Sequence, residues 1–372
     1  MSRRILITGA SIAGNTAAWW LGQYGLDVTV VERASEFRDG GQNIDIRGVG
    51  REVLRRMDLE QVALDQGTGE EGTIWIDEEG KEVARFVTDE LGSDGPTAEM
   101  EILRGDLAHL LYEPARERAT FRFGDWIDRI ENGVDGVSVS FASERSEHYD
   151  AIIIAEGVGS ATRELVFPGE NEPRWMDLTI AYFTIPRQRD DDRMWRWYNA
   201  TEGRSISLRP DTHGTTRAML SLQQPPNGEQ EWSAEKQKAY LRERFANAGW
   251  QAGRVLAAMD DTDDFYFDVR RQVRMDGWSK GPVVLTGDAA WCNAARRNWR
   301  HTGSDWWLRA RERTCPFQRC RTRIFGLRRS DAAAGRKGAG GAEDSAAYHE
   351  PSFTPWHQPP AQRPQGREQA GH

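Results

Sequence analysis

The most constraining stretch of this chain is its first 32 residues. Arg4–Thr8 is a short apolar run that ends at Gly9. A helical pattern follows through Ala17, Ala18, Trp19 and Leu21 to Gly25, and Leu26–Val31 is a β-branched run that ends at Glu32. Strand, tight turn, helix and strand in so short a span predict the opening unit of a doubly wound, dinucleotide-binding fold. The turn reads Gly9-Ala10-Ser11-Ile12-Ala13-Gly14, a three-glycine fingerprint with serine at its middle position. Gly9 permits the tight turn, Ser11 is small enough for close approach to a pyrophosphate, and Gly14 lets the helix pack on the strand. The helix start then offers N–H groups and the positive end of its dipole to phosphate. An ordinary strand–turn–helix corner would explain Gly9, but not an acid where ribose hydroxyls are bound. Glu32 also favours an adenosine with a free 2′-hydroxyl, because a carboxylate there repels a 2′-phosphate.

Three later segments narrow the nucleotide. Glu101-Ile102-Leu103-Arg104-Gly105-Asp106-Leu107 places an arginine at the start of a helical pattern that runs to Leu111. Tyr149–Ala155 reads as a buried parallel strand, and Glu156-Gly157 then leads through a turn to Ser160 and Arg163. Gly281-Pro282-Val283-Val284-Leu285-Thr286-Gly287-Asp288-Ala289-Ala290 is a buried strand ending at Gly-Asp, followed by small residues that let a helix start close by. Asp288 can then reach the hydroxyls of a ribityl chain.

With these segments in this order, the sequence resembles the single-component flavoprotein monooxygenases of the p-hydroxybenzoate hydroxylase type. Arg38-Asp39-Gly40-Gly41-Gln42-Asn43-Ile44-Asp45-Ile46 looks most like the tetracycline-inactivating branch. The resemblance covers residues 1–292. It implies FAD as cofactor, with NAD(P)H as a transient co-substrate bound without a domain of its own. It also implies oxygenation of an electron-rich aromatic, enol-type or polyketide-like small molecule through a flavin C4a-hydroperoxide. By the same resemblance Glu32 and Arg33 hold the adenosine, Arg104 contacts the flavin phosphate or ribityl chain, Asp45 contacts the flavin and Asp288 binds the ribityl chain. Glu156 stands where the family usually has aspartate. Another FAD-dependent oxidoreductase of the same fold, such as a flavin halogenase or a reductase, is the weaker reading; for the halogenase, Trp195-Arg196-Trp197-Tyr198-Asn199 shows only the first half of the segment such enzymes carry.

The predicted fold class is α/β with α+β insertions. A Rossmann-like, three-layer FAD-binding domain is expected over 1–170 and 265–292, with an antiparallel-sheet substrate domain over 171–264. In the latter, Leu178–Ile185, Ser205–Leu208 and Thr216–Leu222 read as strands. Ser233 caps a helix over Ala234–Ala246, with Glu235 in its first turn. Trp195, Trp197, Tyr198 and Phe183 are candidates to line a substrate pocket.

Composition removes several classes. No run nears the ~18 apolar residues of a membrane span, and MSRRILITGA goes straight into a strand, so a cytoplasmic address is expected. Three cysteines, Cys292, Cys315 and Cys320, make no disulfide framework. His109, His148 and His213 have no metal-ligand spacing, and neither a Ser/His/Asp arrangement nor a second glycine-rich unit is present. Neither a nucleic acid nor a membrane is expected as partner.

The charge is uneven. Residues 293–372 carry 15 Lys and Arg against 7 Asp and Glu, which leaves 34 against 51 for residues 1–292. After Cys292 the resemblance implies Pro-x-x-Gly-x-Gly and a long helix. The chain instead reads NAARRNWRHTGSDWWLRARERTC, crowded with Arg and Trp and without an amphipathic period. Such a segment is what a GC-rich gene yields out of frame. Taking the last two bases of each codon with the first of the next, the single tryptophan codon forces glycine at Trp299, Trp306 and Trp307. Permitted codons from Asn293 then give Thr-Pro-Leu-Gly-Gly-Ile-Gly-Ala-Thr-Leu-Ala-Val-Thr-Gly-Gly-Tyr-Val-Leu-Ala, which restores the missing loop and opens an apolar helix. Residues 293–372 are therefore expected to be a non-native, irregular tail caused by a frameshift near Cys292. A natural basic arm and an unfamiliar C-terminal domain are the rival readings.

Overall fold

A computed structural model describes residues 2–38, 40–87, 100–133 and 135–292. The tail expected to be irregular, with Trp299, Trp306, Trp307 and Trp356, lies outside the described residues.

The elements run in chain order β1 (Arg4–Thr8), α1 (Ile12–Gln23), β2 (Asp27–Glu32), β3 (Asn43–Asp45), α2 (Val49–Arg56), α3 (Glu60–Asp65), β4 (Gly72–Ile76) and β5 (Glu82–Val87). Next come β6 (Glu101–Leu103), α4 (Arg104–Arg116), β7 (Thr120–Phe123), β8 (Ile127–Asn132), β9 (Val137–Phe141), β10 (Ser146–Tyr149), β11 (Ala151–Ile154) and α5 (Ala161–Val166). The remainder is β12 (Arg174–Pro186), β13 (Met194–Asn199), β14 (Arg204–Pro210), β15 (Thr215–Gln223), α6 (Ala234–Phe245), α7 (Ala252–Asp261), β16 (Tyr266–Gln272), β17 (Ser279–Lys280) and β18 (Val283–Leu285).

The predicted opening unit forms. β1 lies between β2 and β11, parallel to both, in a six-stranded sheet of order β17-β18-β11-β1-β2-β7. Both faces of this sheet are covered, which is why β1 and β11 are near-continuously apolar instead of alternating. Ile5 and Ile7 pack with Ala17, Leu21, Leu107 and Leu111 from α1 and α4. Leu6, Ile152, Ile154 and Leu285 pack on the other side with Val137, Val139 and Phe141 of the antiparallel sheet β10-β9-β8. Helices, parallel sheet and antiparallel sheet make the three expected layers.

A second sheet has seven strands in the order β16-β12-β15-β14-β13-β4-β5. It reaches beyond the boundaries expected at 170 and 265, drawing β4 and β5 from upstream and β16 from downstream. Helices α6 and α7 cover one of its faces with Leu241, Phe245, Val255 and Met259. The Ser233 hydroxyl accepts the Lys236 N–H at the start of α6, as the capping pattern implied. A two-stranded ribbon, β3 against β6, sets Asp45 opposite Glu101.

Candidate functional site

In an open parallel sheet, ligands bind beyond the carboxyl ends of the strands. Gly9 stands at that end of β1 with φ of +97°, and a Cβ there would lie 2.6 Å from the Ala155 carbonyl oxygen. A Cβ on Gly14 would fall 1.8 Å from the Gly9 carbonyl oxygen, so any side chain would force helix and turn apart. Ser11 is the N-cap of α1, but its hydroxyl does not cap the helix. It accepts a 2.8 Å bond from Arg104 Nη2. The N–H groups of Ile12, Ala13 and Gly14 open the helix, where no intrahelical acceptor exists. An arginine and a helix N-terminus thus converge on one turn, the donor set a pyrophosphate requires.

The Glu32 carboxylate accepts the N–H of Ala10 at 2.9 Å and of Ala34 at 2.9 Å, one on each oxygen. Each oxygen keeps a further lone pair, so the group is held in place and still able to accept ribose hydroxyls. Arg33 is exposed beside it. Asp45 lies at the end of β3 and pairs with Arg47 at 3.1 Å.

Glu156 is engaged elsewhere. Its carboxylate accepts from the Ser160 hydroxyl at 2.7 Å, the Thr162 N–H at 3.0 Å and the Thr162 hydroxyl, closing the start of α5. Its direct work is to hold the loop, in which Gly157 takes a left-handed φ of +81°. Buried Arg163 ties this loop to the second turn, donating to Val158 O at 2.9 Å and to Ala289 O at 3.2 Å. Gly287 has φ of +57°, and a Cβ there would press on the Ala13 side chain at 2.9 Å, so the Gly-Asp turn is packed on the start of α1.

Asp288 follows. It is exposed to solvent, yet protein surrounds it, and this crowding raises its pKa above the usual carboxylate range against the opposing pull of Arg270 and Arg104. Tyr266 is 53% exposed, and desolvation by the neighbouring chain raises its phenol pKa.

The seven-stranded sheet supplies a second surface. Cross-strand partners project to one side, and the register puts Tyr266, Tyr182, Met219, Ser207, Trp197 and Trp75 in one row. Five strand spacings make it roughly 24 Å long. The adjacent row, with Phe183, Ala218, Leu208 and Ile74, faces α6 and α7. The four aromatic candidates therefore divide. Phe183 is 2% exposed and Tyr198 is 5% exposed, its hydroxyl bonded to Ala248 O at 2.8 Å, so both are core. Trp195 and Trp197 occupy the face away from the helices. Tyr182, Tyr266, Met219, Trp75 and Arg270 were missed by the sequence reading. The polar–apolar alternation of Tyr266-Phe267-Asp268-Val269-Arg270 was the available signal. The Arg270 guanidinium lies 3.4 Å from the Tyr182 hydroxyl and 3.5 Å from Asp268, long contacts for a charged donor.

A glycine turn with an arginine, an acid at the end of β2 and an acidic Gly-Asp turn are the parts a dinucleotide-binding flavoprotein requires. The chain belongs to the FAD-binding monooxygenase family: the FAD binding domain family matches residues 3–294. It is 33% identical over 303 residues to the FAD-dependent monooxygenase asL4 of Sarocladium schorii, covering 78% of this chain and 70% of that one. It is 36% identical over 295 residues to the uncharacterized protein Rv1260 of Mycobacterium tuberculosis, covering 78% of each. Among solved structures it is similar to the tetracycline destructase Tet(55), with a TM-score of 0.70, 30% identity, and coverage of 79% of this chain and 75% of that one. Among the described residues, no helix is long and apolar enough to cross a membrane.

Proposed function

We propose that the protein is a single-component hydroxylase that uses FAD, NAD(P)H and dioxygen to oxygenate an electron-rich aromatic, enol-type or polyketide-like small molecule. Bound FAD supplies the activation of dioxygen. Gly9, Ser11, Ile12, Ala13, Gly14 and Arg104 hold its pyrophosphate, Glu32 and Arg33 its adenosine, and Asp45, Gly157, Gly287 and Asp288 the flavin portion, with Glu156 holding the loop. The observation that carries the substrate class is the row of aromatic and polar side chains on the sheet face away from α6 and α7. A flat ring system stacks there, and Ser207 Oγ and Trp195 Nε1, buried without hydrogen-bond partners, are groups that a polar ligand satisfies. Arg270 with Tyr182 is placed to hold an ionised phenol or enol oxygen, which keeps electron density on the carbon to be oxygenated. The surrounding aromatic surface excludes water.

A second reading concerns this exact polypeptide. The family match stops at residue 294, beside the point near Cys292 where a frameshift is expected. Under this reading the chain lacks the glycine loop next to the flavin and is a FAD-deficient relative. One experiment separates the two: NAD(P)H-dependent oxygen uptake and bound flavin, measured for this chain and for a version with the shifted frame restored after Cys292. A hydroxylase as written gives flavin and uptake in both. A frameshifted relative gives them only after restoration. Absence from both, with substrates of the proposed class present, defeats the hydroxylase assignment.

A further inference from the structure

Beneath the flavin-holding residues lies a buried cluster that the function above leaves unused. Arg209 of β14 donates from Nε to Glu70 Oε2 at 2.8 Å and from Nη2 to Glu70 Oε1 at 3.2 Å. The same Nη2 donates to Glu101 Oε1. The Glu70 and Glu101 side chains are 0% and 3% exposed. The Thr68 hydroxyl donates to Glu101 Oε2 at 2.5 Å, and the Thr68 N–H to the Glu101 carbonyl at 3.0 Å. One residue further along β14, the Pro210 carbonyl accepts from Asn43 Nδ2 at 3.3 Å. The β3–β6 ribbon is therefore fastened to the seven-stranded sheet through both of its strands.

That ribbon carries the flavin contacts. Asp45 is the cross-strand partner of Glu101. Arg104, the residue after β6, has its N–H on Gln42 O at 2.9 Å and its guanidinium on Ser11. On the sheet side, the Arg209 guanidinium lies over the Trp195 ring, 4.0 Å from its centroid.

We propose that Arg209, gripped by Glu70 and Glu101, is a positioning residue for the flavin: it fixes the ribbon from which Asp45 and Arg104 act, without touching the cofactor itself. The proposal rests on the reading of Asp45 and Arg104 as flavin-holding residues. Among the described residues, two carboxylates grip one guanidinium, and together they carry a surplus negative charge when both are ionised. Burial raises the Glu101 pKa to about 7, opposed by Arg209 and the Thr68 hydroxyl and reinforced by Glu70 and Asp45. The groups facing Glu101 are Arg209 from β14, Glu70 and Thr68 from the chain before β4, and Asp45 from β3 with its partner Arg47. Below that value a proton removes the surplus and the ribbon is tight. Above it Glu101 repels Glu70 and Asp45, and the ribbon loosens.

The test is hydrogen exchange of the full chain on either side of pH 7, corrected for intrinsic exchange, in peptides covering residues 42–46 and 100–105. FAD affinity is read in parallel from quenching of tryptophan fluorescence. Lysine keeps the charge but not the fork. Arg209→Lys is expected to speed ribbon exchange and weaken FAD by about tenfold each, the factor of one charged hydrogen bond. Glu101→Gln keeps an acceptor for Arg209 but cannot ionise, and is expected to abolish the step in ribbon exchange near pH 7. Every other titrating group is common to both proteins, so their difference isolates Glu101. Unchanged ribbon exchange in Arg209→Lys overturns the proposal, as does an intact pH step in Glu101→Gln. Faster exchange with unchanged FAD affinity also overturns it, reducing Arg209 to a clamp with no bearing on the flavin.

Discussion

Two clusters of arginine and glutamate stand at opposite places in this fold, built from the same side chains in opposite ratio. At the amino end of β1, Glu147 receives Arg4 Nη2 at 2.9 Å, Arg122 Nη1 and the Tyr149 hydroxyl at 2.9 Å. Two guanidiniums and a phenol serve one carboxylate, and the Glu147 pKa is held down to about 2, chiefly by the hydrogen bond from Arg122. At the ribbon, one guanidinium serves two carboxylates, and burial pushes Glu101 up to about 7. The first cluster ties β1, β7 and β10 together on the side of the parallel sheet away from ligand, and keeps its charge through the physiological range. The second borders the site and changes charge within that range. The number of donors per carboxylate and the access of water, rather than the residue types, decide which cluster is a fixed rivet and which is a titrating one.

The largest effect that tests this contrast is removal of each cluster's arginine. Arg209→Ala removes the guanidinium from buried Glu70 and Glu101, and breaking a buried pair costs about 3–5 kcal/mol. Arg122→Ala leaves Glu147 with Arg4 and the Tyr149 hydroxyl, and both partners of the lost pair are about one-fifth exposed, at 23% and 20%. Its expected cost is about 1 kcal/mol. Urea unfolding of the two variants reads the difference directly. Equal losses would mean that the charge ratio does not set the balance.

The next effect is pH dependence, and its sign differs between the clusters. The folded pKa of Glu101 is raised from 4.5 to about 7, so the folded state binds the extra proton. Its contribution is full below pH 4.5 and is lost as pH rises towards 7. The folded pKa of Glu147 is lowered from 4.5 to about 2, so its contribution is present above pH 4.5 and lost as pH falls towards 2. At about 1.4 kcal/mol per unit, Glu101 contributes on the order of 3–4 kcal/mol, and Glu147 less, because solvent screens it. Thermal melts are expected to be highest near pH 4.5 as far as these two groups decide. Glu101→Gln should flatten the limb above that value and Glu147→Gln the limb below it. A variant that flattens the wrong limb would reverse the assignment.

The parallel half was legible because its signals are local. Gly9, Gly14 and Glu32 lie within one strand–turn–helix–strand unit, and the run Ala151–Ile154 is apolar because both faces of that strand are covered. Arg104 and Asp288 were marked by their motifs, and the structure brings Arg104 onto Ser11. The substrate half was less legible. Phe183 and Tyr182 are adjacent and both aromatic, and which of them is buried under helices depends on where α6 and α7 pack, information carried by Leu241, Phe245 and Val255 far along the chain. The Arg209 cluster was not legible at all, because its three charged members come from residues 70, 101 and 209 and share no motif. Pairing of β4 and β5 into the second sheet was missed for the same reason: a strand's partners are chosen by the whole fold.

The smallest effect isolates single hydroxyls, one per cluster. Thr68→Val removes the donor on Glu101, and Tyr149→Phe removes the donor on Glu147 while keeping the ring over which Arg4 lies, 4.8 Å from its centroid. A hydrogen bond to the charged form lowers a carboxyl pKa, so both substitutions move the carboxyl upward. For Glu101 this carries the neutral limb of the stability profile to higher pH, which extends the range over which the ribbon is tight. For Glu147 it carries the acid limb towards pH 4.5 and narrows the stable range. Each change is worth about 1 kcal/mol or slightly more. Tyr149 supplies an independent check. Burial, aided by the hydrogen bond to Glu147, pushes its phenol up to about 12. Ultraviolet titration should find one tyrosine ionising near that value in the wild type and lower in Glu147→Gln, where the neighbouring negative charge is gone. An unshifted phenol in that variant would show that Glu147 does not hold its charge against Tyr149, and the fixed member of the comparison would be lost.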